Sequence, residues 1–70
     1  MPNVLAFAEA RGGELRKVAL EAVTAARQVA DQLGGEVHAV LVGAPGIAAR
    51  AATLAEYGAD VVYVSEHSGF

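Results

Sequence analysis

The residues Ser65 to Ser68, near the end of the chain, contain the residue types of a hydrolase triad. Serine, histidine and a carboxylate can relay a proton when the fold brings them together from separate places. Here they are neighbours in sequence, and neighbouring side chains on an extended chain point to opposite faces. We therefore interpret Ser65-Glu66-His67-Ser68 as a solvated chain end, and we predict no catalytic residue in this chain.

Two glycine-containing loops follow predicted strands, at the position where open α/β sheets bind ligands. In the first, Ala10 to Glu14, the candidates for phosphate binding are Arg11, Gly12 and Gly13. The loop lacks the spacing of a dinucleotide fingerprint or a P-loop, and Glu14 would repel a phosphate. An ordinary tight turn is the favoured interpretation, as it is for Gly43-Ala44-Pro45-Gly46 after the second strand.

Single residues elsewhere give weaker indications of chemistry. No second ligand lies at metal spacing from His38, so we expect a packed or edge histidine and no metal site. The rings of Tyr57 and Tyr63 are able to stack on an adenine or a flavin, but core packing is the default expectation. Four carboxylates at strand ends are expected to be solvated, with no acid/base pair among them: Glu9, Glu36, Asp60 and Glu66.

The elements that must position these residues are three strands and two helices. Apolar runs predict a central first strand over Val4 to Ala8, a second strand over Glu36 to Val42 and a third over Val61 to Val64. The first and third runs are continuous, which is typical of strands buried on both faces. The residues between the first strand and the first helix, 9–14, are predicted to form a loop.

Helical spacing predicts a first helix over Leu15 to Leu33, with Glu14 near its first turn and Gly34-Gly35 as its stop. Its predicted inner face is Leu15, Val18, Ala19, Ala22, Ala26, Val29 and Leu33. A second helix is predicted after the second strand, ending at Gly58. Its predicted inner face is Ile47, Ala48, Ala51, Leu54 and Ala55.

The order of elements predicts the fold class, a Rossmann-like α/β segment of the form β-α-β-α-β. Two consecutive right-handed crossovers give a parallel sheet in a single domain over residues 1–70. Two helices cannot cover both faces of such a sheet, so one face or edge is left bare. We therefore expect these residues to be an incomplete domain or half of an assembly.

Composition excludes several classes of protein. The formal net charge is −3 and the five basic residues are scattered, which argues against nucleic-acid binding. There is no cysteine, so disulfides and thiol chemistry are excluded. The N-terminal apolar run is too short for a signal peptide or a membrane span, and we expect a cytoplasmic protein of a bacterium or archaeon without membrane insertion.

Several of these features together resemble the N-terminal domain of the electron transfer flavoprotein alpha subunit. They are a strand ending in Ala8-Glu9, the glycine loop followed by Leu15, the helix with Ala25-Ala26-Arg27, the run Gly34-Gly35-Glu36-Val37, and Gly58-Ala59-Asp60 before the third strand. The resemblance spans nearly the whole chain. It implies a nucleotide-hydrolase-like α/β domain.

The resemblance also implies a role. Members of that family pair an alpha with a beta subunit and use one FAD to carry electrons from acyl-CoA or other dehydrogenases to the respiratory chain. They are electron carriers rather than enzymes. Their FAD is bound mainly by a separate C-terminal domain, so no FAD-binding residue is assigned here and a scaffold role is implied. The departure from the family is length, since a full alpha subunit is several times longer.

Two alternatives remain. A small nucleotide-binding module similar to universal stress proteins shares the fold class and would bind ATP or AMP at the strand-end loops, although that family's glycine-rich phosphate motif lies beyond the third strand. A Rossmann-class enzyme fragment would need a dinucleotide fingerprint after the first strand, and Ala8 to Gly13 do not supply one.

Overall fold

Four strands and two α-helices make up the fold in the computed structural model, which describes residues 2–68. In chain order they are β1 (Asn3–Arg11), β2 (Glu14–Leu15), α1 (Lys17–Leu33), β3 (Glu36–Gly43), a short 3₁₀ helix (Ile47–Arg50), α2 (Ala51–Glu56) and β4 (Val61–Glu66). The order of elements confirms the predicted α/β class, with one strand, β2, added.

The strands form one sheet in the order β2-β1-β3-β4. β1 pairs in parallel with β3, where Phe7 aligns with Val40, and β3 pairs in parallel with β4, where Val40 aligns with Tyr63. The short β2 pairs antiparallel with the end of β1. The sheet is therefore mixed, and β3 rather than β1 is the strand with a long neighbour on each side.

Both helices lie on the same face of the sheet. Alternate residues of β1 and β3 point into one core cluster that also contains residues of α1, Ile47 of the 3₁₀ helix and Leu54 of α2. This placement follows from two right-handed crossovers that proceed in the same direction across the sheet. Of the thirteen buried hydrophobic residues within 2–68, eight are alanine, so α1 approaches the strands closely.

The opposite face of the sheet is uncovered among the described residues, which confirms the prediction of an uncovered face or edge. We call it the bare face; alternation and register place on it Leu5, Phe7, His38, Val40, Val42 and Tyr63. Leu5 is 70% exposed, Phe7 61% and Tyr63 52%. The prediction that the first and third strands are buried on both faces is therefore wrong for the described residues. The continuous apolar runs give the sheet a second apolar face, and neither described helix covers that face.

The predicted loop over residues 9–14 is largely strand. β1 continues to Arg11, which pairs with Glu14 across a turn formed by Gly12 and Gly13. Both glycines have positive φ, 59° and 78°, as a two-residue hairpin turn requires. The polar residues of this segment show no strand pattern in the sequence, because the pairing of β1 with β2 depends on the turn rather than on apolar burial.

Helix α1 begins two residues later than predicted, because Leu15 belongs to β2. Glu14 also lies in β2, and the first turn of α1 contains no acidic residue. The C-terminal stop is confirmed, with Gly34 in the left-handed region at φ 72°. The buried residues are Ala19, Val23, Ala26 and Ala30, so the predicted inner face is rotated, and Val18, Val29 and Leu33 are exposed instead. No helix in the described part of the chain has the length and apolar character needed to cross a bilayer.

The second helical segment is a 3₁₀ turn that continues into α2 as far as Glu56. Ile47 and Leu54 are buried as predicted, whereas Ala48 and Ala55 are exposed. The expectation that Tyr57 packs in the core is wrong, since it is 45% exposed. Among the strands, α2 contacts mainly β4, whereas the 3₁₀ helix contacts both β3 and β4.

Candidate functional site

The loops at the carboxyl ends of the strands are the first place to look for a site, and Arg50 links two of them. Its Nε donates to the carbonyl oxygen of Gly13 at 3.1 Å, and its Nη2 donates to Glu14 Oε1 at 3.2 Å. The guanidinium therefore joins the hairpin turn to the 3₁₀ helix. The hairpin turn and the 3₁₀ helix would be two sides of a ligand site here, and the hydrogen bonds of Arg50 hold them together.

Glu66, at the end of β4, links that strand to the start of the 3₁₀ helix. Its Oε2 accepts hydrogen bonds from the backbone N–H of Gly46 at 2.9 Å and of Ala48 at 3.2 Å. These N–H groups begin the 3₁₀ helix and have no carbonyl partner within it. The carboxylate thus satisfies the donors that an anionic ligand would otherwise use.

The triad-like residues are only partly brought together. Ser65 and His67 are two residues apart, so they share a face of the extended chain, and Ser65 Oγ lies 2.7 Å from His67 Nε2. Glu66 points the other way, toward Gly46 and Ala48. A carboxylate directed away from the histidine cannot orient its ring, so no triad forms here.

The predicted phosphate candidates lie in the β1–β2 hairpin. Gly12 and Gly13 form its turn, and Arg11 Nε donates to Glu9 Oε1 at 3.2 Å on the exposed surface. The turn itself matches the favoured interpretation of this segment. The second loop, Gly43 to Gly46, leads directly into the 3₁₀ helix.

A second polar cluster lies at the other end of the strands, around Arg27 and Asp60. Arg27 Nη1 donates to Asp60 Oδ2 at 2.8 Å and to the carbonyl oxygen of Gly58, while its Nη2 donates to the carbonyl oxygen of Gly35. Asp60 Oδ2 also accepts from the backbone N–H of Val37 at 2.8 Å. One side chain of α1 therefore holds the ends of both loops that lead into β3 and β4.

The electrostatics of this cluster favour its charged form. The N–H of Val37, and then the guanidinium of Arg27, hold the pKa of Asp60 below its ordinary value. The hydrogen bond to Asp60 raises the pKa of Arg27. The expectation that strand-end carboxylates are simply solvated is therefore wrong for Asp60 and for Glu66.

His38 lies on the bare face of β3, an internal strand, and its side chain is 20% exposed, so of the two predicted alternatives it is a packed histidine rather than an edge one. Its Nδ1 lies 3.0 Å from the hydroxyl oxygen of Tyr63, and its Nε2 lies 3.2 Å from Glu36 Oε1. Tyr63 is exposed, so its predicted core packing is wrong. Within residues 2–68 no three potential ligands from histidine, cysteine, aspartate and glutamate are grouped to hold a metal ion.

Sequence reasoning missed the residues that organise both ends of the sheet: Arg27, Arg50, Asp60 and Glu66. The i, i+4 spacing of Arg27 and Asp31 signalled only a local ion pair. The bonds to Gly58, Asp60 and Gly13 join residues more than 30 positions apart, so no local pattern marks them.

Comparison with known proteins places this arrangement in a family. The sequence model of the electron transfer flavoprotein domain matches residues 4–70. Protein FixB of Clostridium saccharobutylicum is 45% identical over 65 residues, 93% of this chain and 19% of that protein. The electron transfer flavoprotein subunit alpha of Syntrophomonas wolfei is 41% identical over 70 residues, all of this chain and 20% of that protein. The subunit alpha of Thermoanaerobacterium thermosaccharolyticum is 40% identical over 65 residues, again 93% of this chain and 19% of that protein. The chain thus spans about a fifth of the length of its relatives.

Proposed function

The chain belongs to the electron transfer flavoprotein family, and from that premise we propose that it is the N-terminal scaffold segment of an alpha-type subunit. In this proposal the complete protein pairs with a beta-type subunit, carries one FAD and moves electrons from acyl-CoA or other dehydrogenases toward the respiratory chain. It acts in the cytoplasm of a bacterium or archaeon. The segment itself carries electrons only as part of that assembly.

The observation that carries the proposal is similarity along the whole segment to proteins named as alpha subunits. The match to the Syntrophomonas wolfei protein covers all 70 residues of the chain. The bare face supports a scaffold role, because a sheet with helices on one side must bury its other apolar face against something else. We infer that the segment supports a flavin-binding part located elsewhere.

The hairpin turn and the start of the 3₁₀ helix do not offer free donors to the phosphates of FAD, which agrees with a site outside this segment. At the carboxyl ends of the strands, Glu66 already accepts from the N–H groups of Gly46 and Ala48 that would suit a phosphate. Arg50 and Arg11, two of the cations beside those loops, pair with Glu14 and Glu9. A pyrophosphate placed there would meet carboxylates rather than free donors. We therefore assign these residues no step in electron transfer.

The experiment is to purify the native gene product from its host under mild conditions and record its intact mass, its co-purifying partner and its visible absorption spectrum. We expect a longer chain, a second subunit and a bound-flavin spectrum. A colourless short chain without a second subunit would overturn the proposal. If that chain bound ATP or AMP, the small nucleotide-binding module would be the better assignment.

A matched pair of variants tests the scaffold role in the same preparation. Leu41 is fully buried in the core, so Leu41→Asp should unfold the segment and abolish recovery of the second subunit. Gln32→Asp adds the same charge at an exposed position of α1 and should leave subunit recovery unchanged. Equal recovery of the second subunit with both variants would show that this segment is not needed to hold that subunit.

A further inference from the structure

Three polar side chains on the bare face form a continuous hydrogen-bonded chain. Glu36 and His38 are two residues apart in β3, so both point to that face. Glu36 Oε1 lies 3.2 Å from His38 Nε2, and the hydroxyl oxygen of Tyr63 on β4 lies 3.0 Å from His38 Nδ1. The order carboxylate, imidazole, hydroxyl is that of a proton relay. No local pattern in the sequence marks it, because Tyr63 is 25 positions from His38.

The carboxylate of Glu36 fixes which nitrogen of His38 carries the proton. An ionised carboxylate only accepts hydrogen bonds, so Nε2 of His38 must donate to it. In the neutral ring Nδ1 then has a lone pair, and the hydroxyl of Tyr63 donates the hydrogen bond between them. His38 is therefore placed as a base toward the phenol of Tyr63. Glu36 is placed to stabilise the imidazolium ion that forms when the proton crosses.

The pairing of the strands holds the relay in place. Leu5 on β1 and Val61 on β4 align with His38 in the register, so apolar neighbours lie on either side of its ring. The rings of His38 and Tyr63 lie 5.8 Å apart between centroids and are inclined by 32°. Since β3 and β4 carry the two rings, the distance from the imidazole to the phenol is set by the sheet rather than by a loop.

We propose that Tyr63 is a site of proton-coupled one-electron oxidation, independently of the proposed function. A strong one-electron oxidant, such as the carbonate radical anion, takes one electron from the phenol of Tyr63. The O–H bond breaks as the electron leaves, and the proton moves to Nδ1 of His38. The products are the reduced oxidant, a neutral tyrosyl radical and an imidazolium ion paired with Glu36. A one-electron reductant such as ascorbate returns the electron, and the proton goes back to the phenol oxygen.

The base determines how readily this oxidation occurs. Loss of an electron makes a phenol O–H strongly acidic, so an oxidation that leaves the proton in place produces a high-energy radical cation. A base already in hydrogen-bonding contact takes the proton during the step, and a positioned proton acceptor accelerates a reaction by about 10²–10⁴-fold. His38 occupies this position for Tyr63. The relay therefore makes Tyr63 a preferred electron donor.

Tyr57 provides an internal comparison, since it and Tyr63 are the two tyrosines of the chain. Within this segment Tyr57 is 45% exposed and Tyr63 52%, so access by a small radical differs little between them. Among residues 2–68 no hydrogen bond involves the hydroxyl of Tyr57. The segment has no tryptophan or cysteine that would compete for the oxidant. A difference in oxidation between the two tyrosines therefore reports the relay.

The test treats the native gene product, purified from its host, with a source of carbonate and nitrogen dioxide radicals. Nitrogen dioxide adds to the tyrosyl radical and gives 3-nitrotyrosine, which peptide mass spectrometry quantifies at each position. We expect the nitration ratio of Tyr63 to Tyr57 to fall by about tenfold or more in His38→Gln, because a glutamine amide accepts the phenol hydrogen bond but not its proton. Glu36→Gln keeps an acceptor but removes the charge, and should give a smaller fall.

His67→Gln makes the same replacement at the other histidine of the chain. His67 lies beyond the end of β4, where its Nε2 is 2.7 Å from Ser65 Oγ, so its loss should leave the nitration ratio unchanged. Each variant is compared with the unmodified protein, so that any covering of the bare face is common to both. An unchanged ratio in His38→Gln, or an equal fall in His67→Gln, overturns the proposal.

A second measurement uses the unmodified protein alone and does not depend on how well a variant folds. The nitration ratio of Tyr63 to Tyr57 is followed as the buffer is made more acidic. The titratable groups that face His38 are Glu36 on β3, Tyr63 on β4 and Asp60 just before β4. A protonated imidazole has no lone pair for the phenol proton, so the ratio should fall. A ratio that stays constant until circular dichroism shows unfolding contradicts the relay.

Discussion

Asp60 has two partners that come from different parts of the chain, the guanidinium of Arg27 and the N–H of Val37. It lies just before β4, where its carboxylate joins the start of that strand to β3 and α1. Loss of the side chain would therefore leave the N–H of Val37 without its acceptor and would remove one of the acceptors of Arg27. Stability at this point depends on a charge rather than on apolar burial.

We predict that Asp60→Asn lowers the free energy of unfolding at neutral pH and that the difference from the unmodified chain disappears in acid. The folded-state pKa of Asp60 is lowered, so its contribution is present above the unfolded-state pKa of about 4 and is lost as pH falls through the lower folded-state pKa. Urea denaturation at a series of pH values measures this difference.

Asp31→Asn is the matched control for that experiment. Asp31 pairs with the same guanidinium but its side chain is 66% exposed, and it accepts no backbone N–H among the bonds described. Its replacement should have a smaller effect at neutral pH. If both substitutions change stability equally at every pH, the bridge to Val37 does not contribute as argued.

Residue types alone predict only the local features of the candidate site. The absence of a triad and the tight turn at Gly12 and Gly13 were predictable from neighbouring residues, because alternation and turn chemistry are local. At Asp60 and Glu66 residue type predicts a solvated carboxylate, because the partners of each lie far away in the sequence. Charged residues at strand ends cannot be assigned partners until the order of strands is known.

At the scale of elements, the β1–β2 hairpin depends on the positive φ of Gly12 and Gly13. We predict that Gly12→Val destabilises the chain by about 1–2 kcal/mol, because the left-handed conformation places a β-branched Cβ too near the backbone. Apart from the residue itself and its two chain neighbours, no atom lies within 4 Å of a Cβ at this position, so crowding by other parts of the fold does not contribute. Thermal unfolding followed by circular dichroism provides the measurement.

Gly12→Asn separates conformational strain from loss of glycine as such. Asparagine visits the left-handed region readily and is common in two-residue hairpin turns. It should therefore be much less destabilising than valine at this position. Equal losses for the two variants would mean that the turn has a different conformation in solution.

Helix α1 illustrates why the existence of an element is easier to predict than its orientation. Apolar spacing identified the helix, and Gly34-Gly35 identified its end. Alanines and valines occur on two adjacent stripes, one with Ala19 and Val23 and one with Val18 and Ala22. Periodicity cannot tell which stripe faces the sheet, since both satisfy helical spacing. The contact with β1 and β3 decides, and it leaves the other stripe exposed.

At the scale of the molecule, the unequal covering of the sheet predicts unequal sensitivity to mutation. Leu41→Ala, at a fully buried position under the helices, should lower the free energy of unfolding by about 2–5 kcal/mol. Phe7→Ala removes a larger side chain from the bare face, where it is 61% exposed, and should change that free energy by less than about 1 kcal/mol. Urea denaturation at low protein concentration compares the two. A larger loss for Phe7→Ala would mean that the bare face is covered in solution.

The uncovered face itself was predictable from topology. Two right-handed crossovers in one direction leave helices on one side only, whatever the details of packing. The positions exposed as a result, such as Leu5 and Phe7, were expected to be buried because continuous apolar runs are typical of covered strands. The sequence pattern is typical of a sheet with helices on both faces, whereas the described residues place helices on one face only.

The predominance of alanine in the buried layer also bears on which mutations the family can accept. Where a core consists of large side chains, most damage comes from removing atoms. Here helix and sheet approach closely over Ala8, Ala30 and Ala39, all without measurable exposure. Adding even one or two carbon atoms at these positions must separate the layers or strain rotamers. In a saturation mutagenesis experiment, we expect intolerance at these positions to rise with the volume of the incoming side chain.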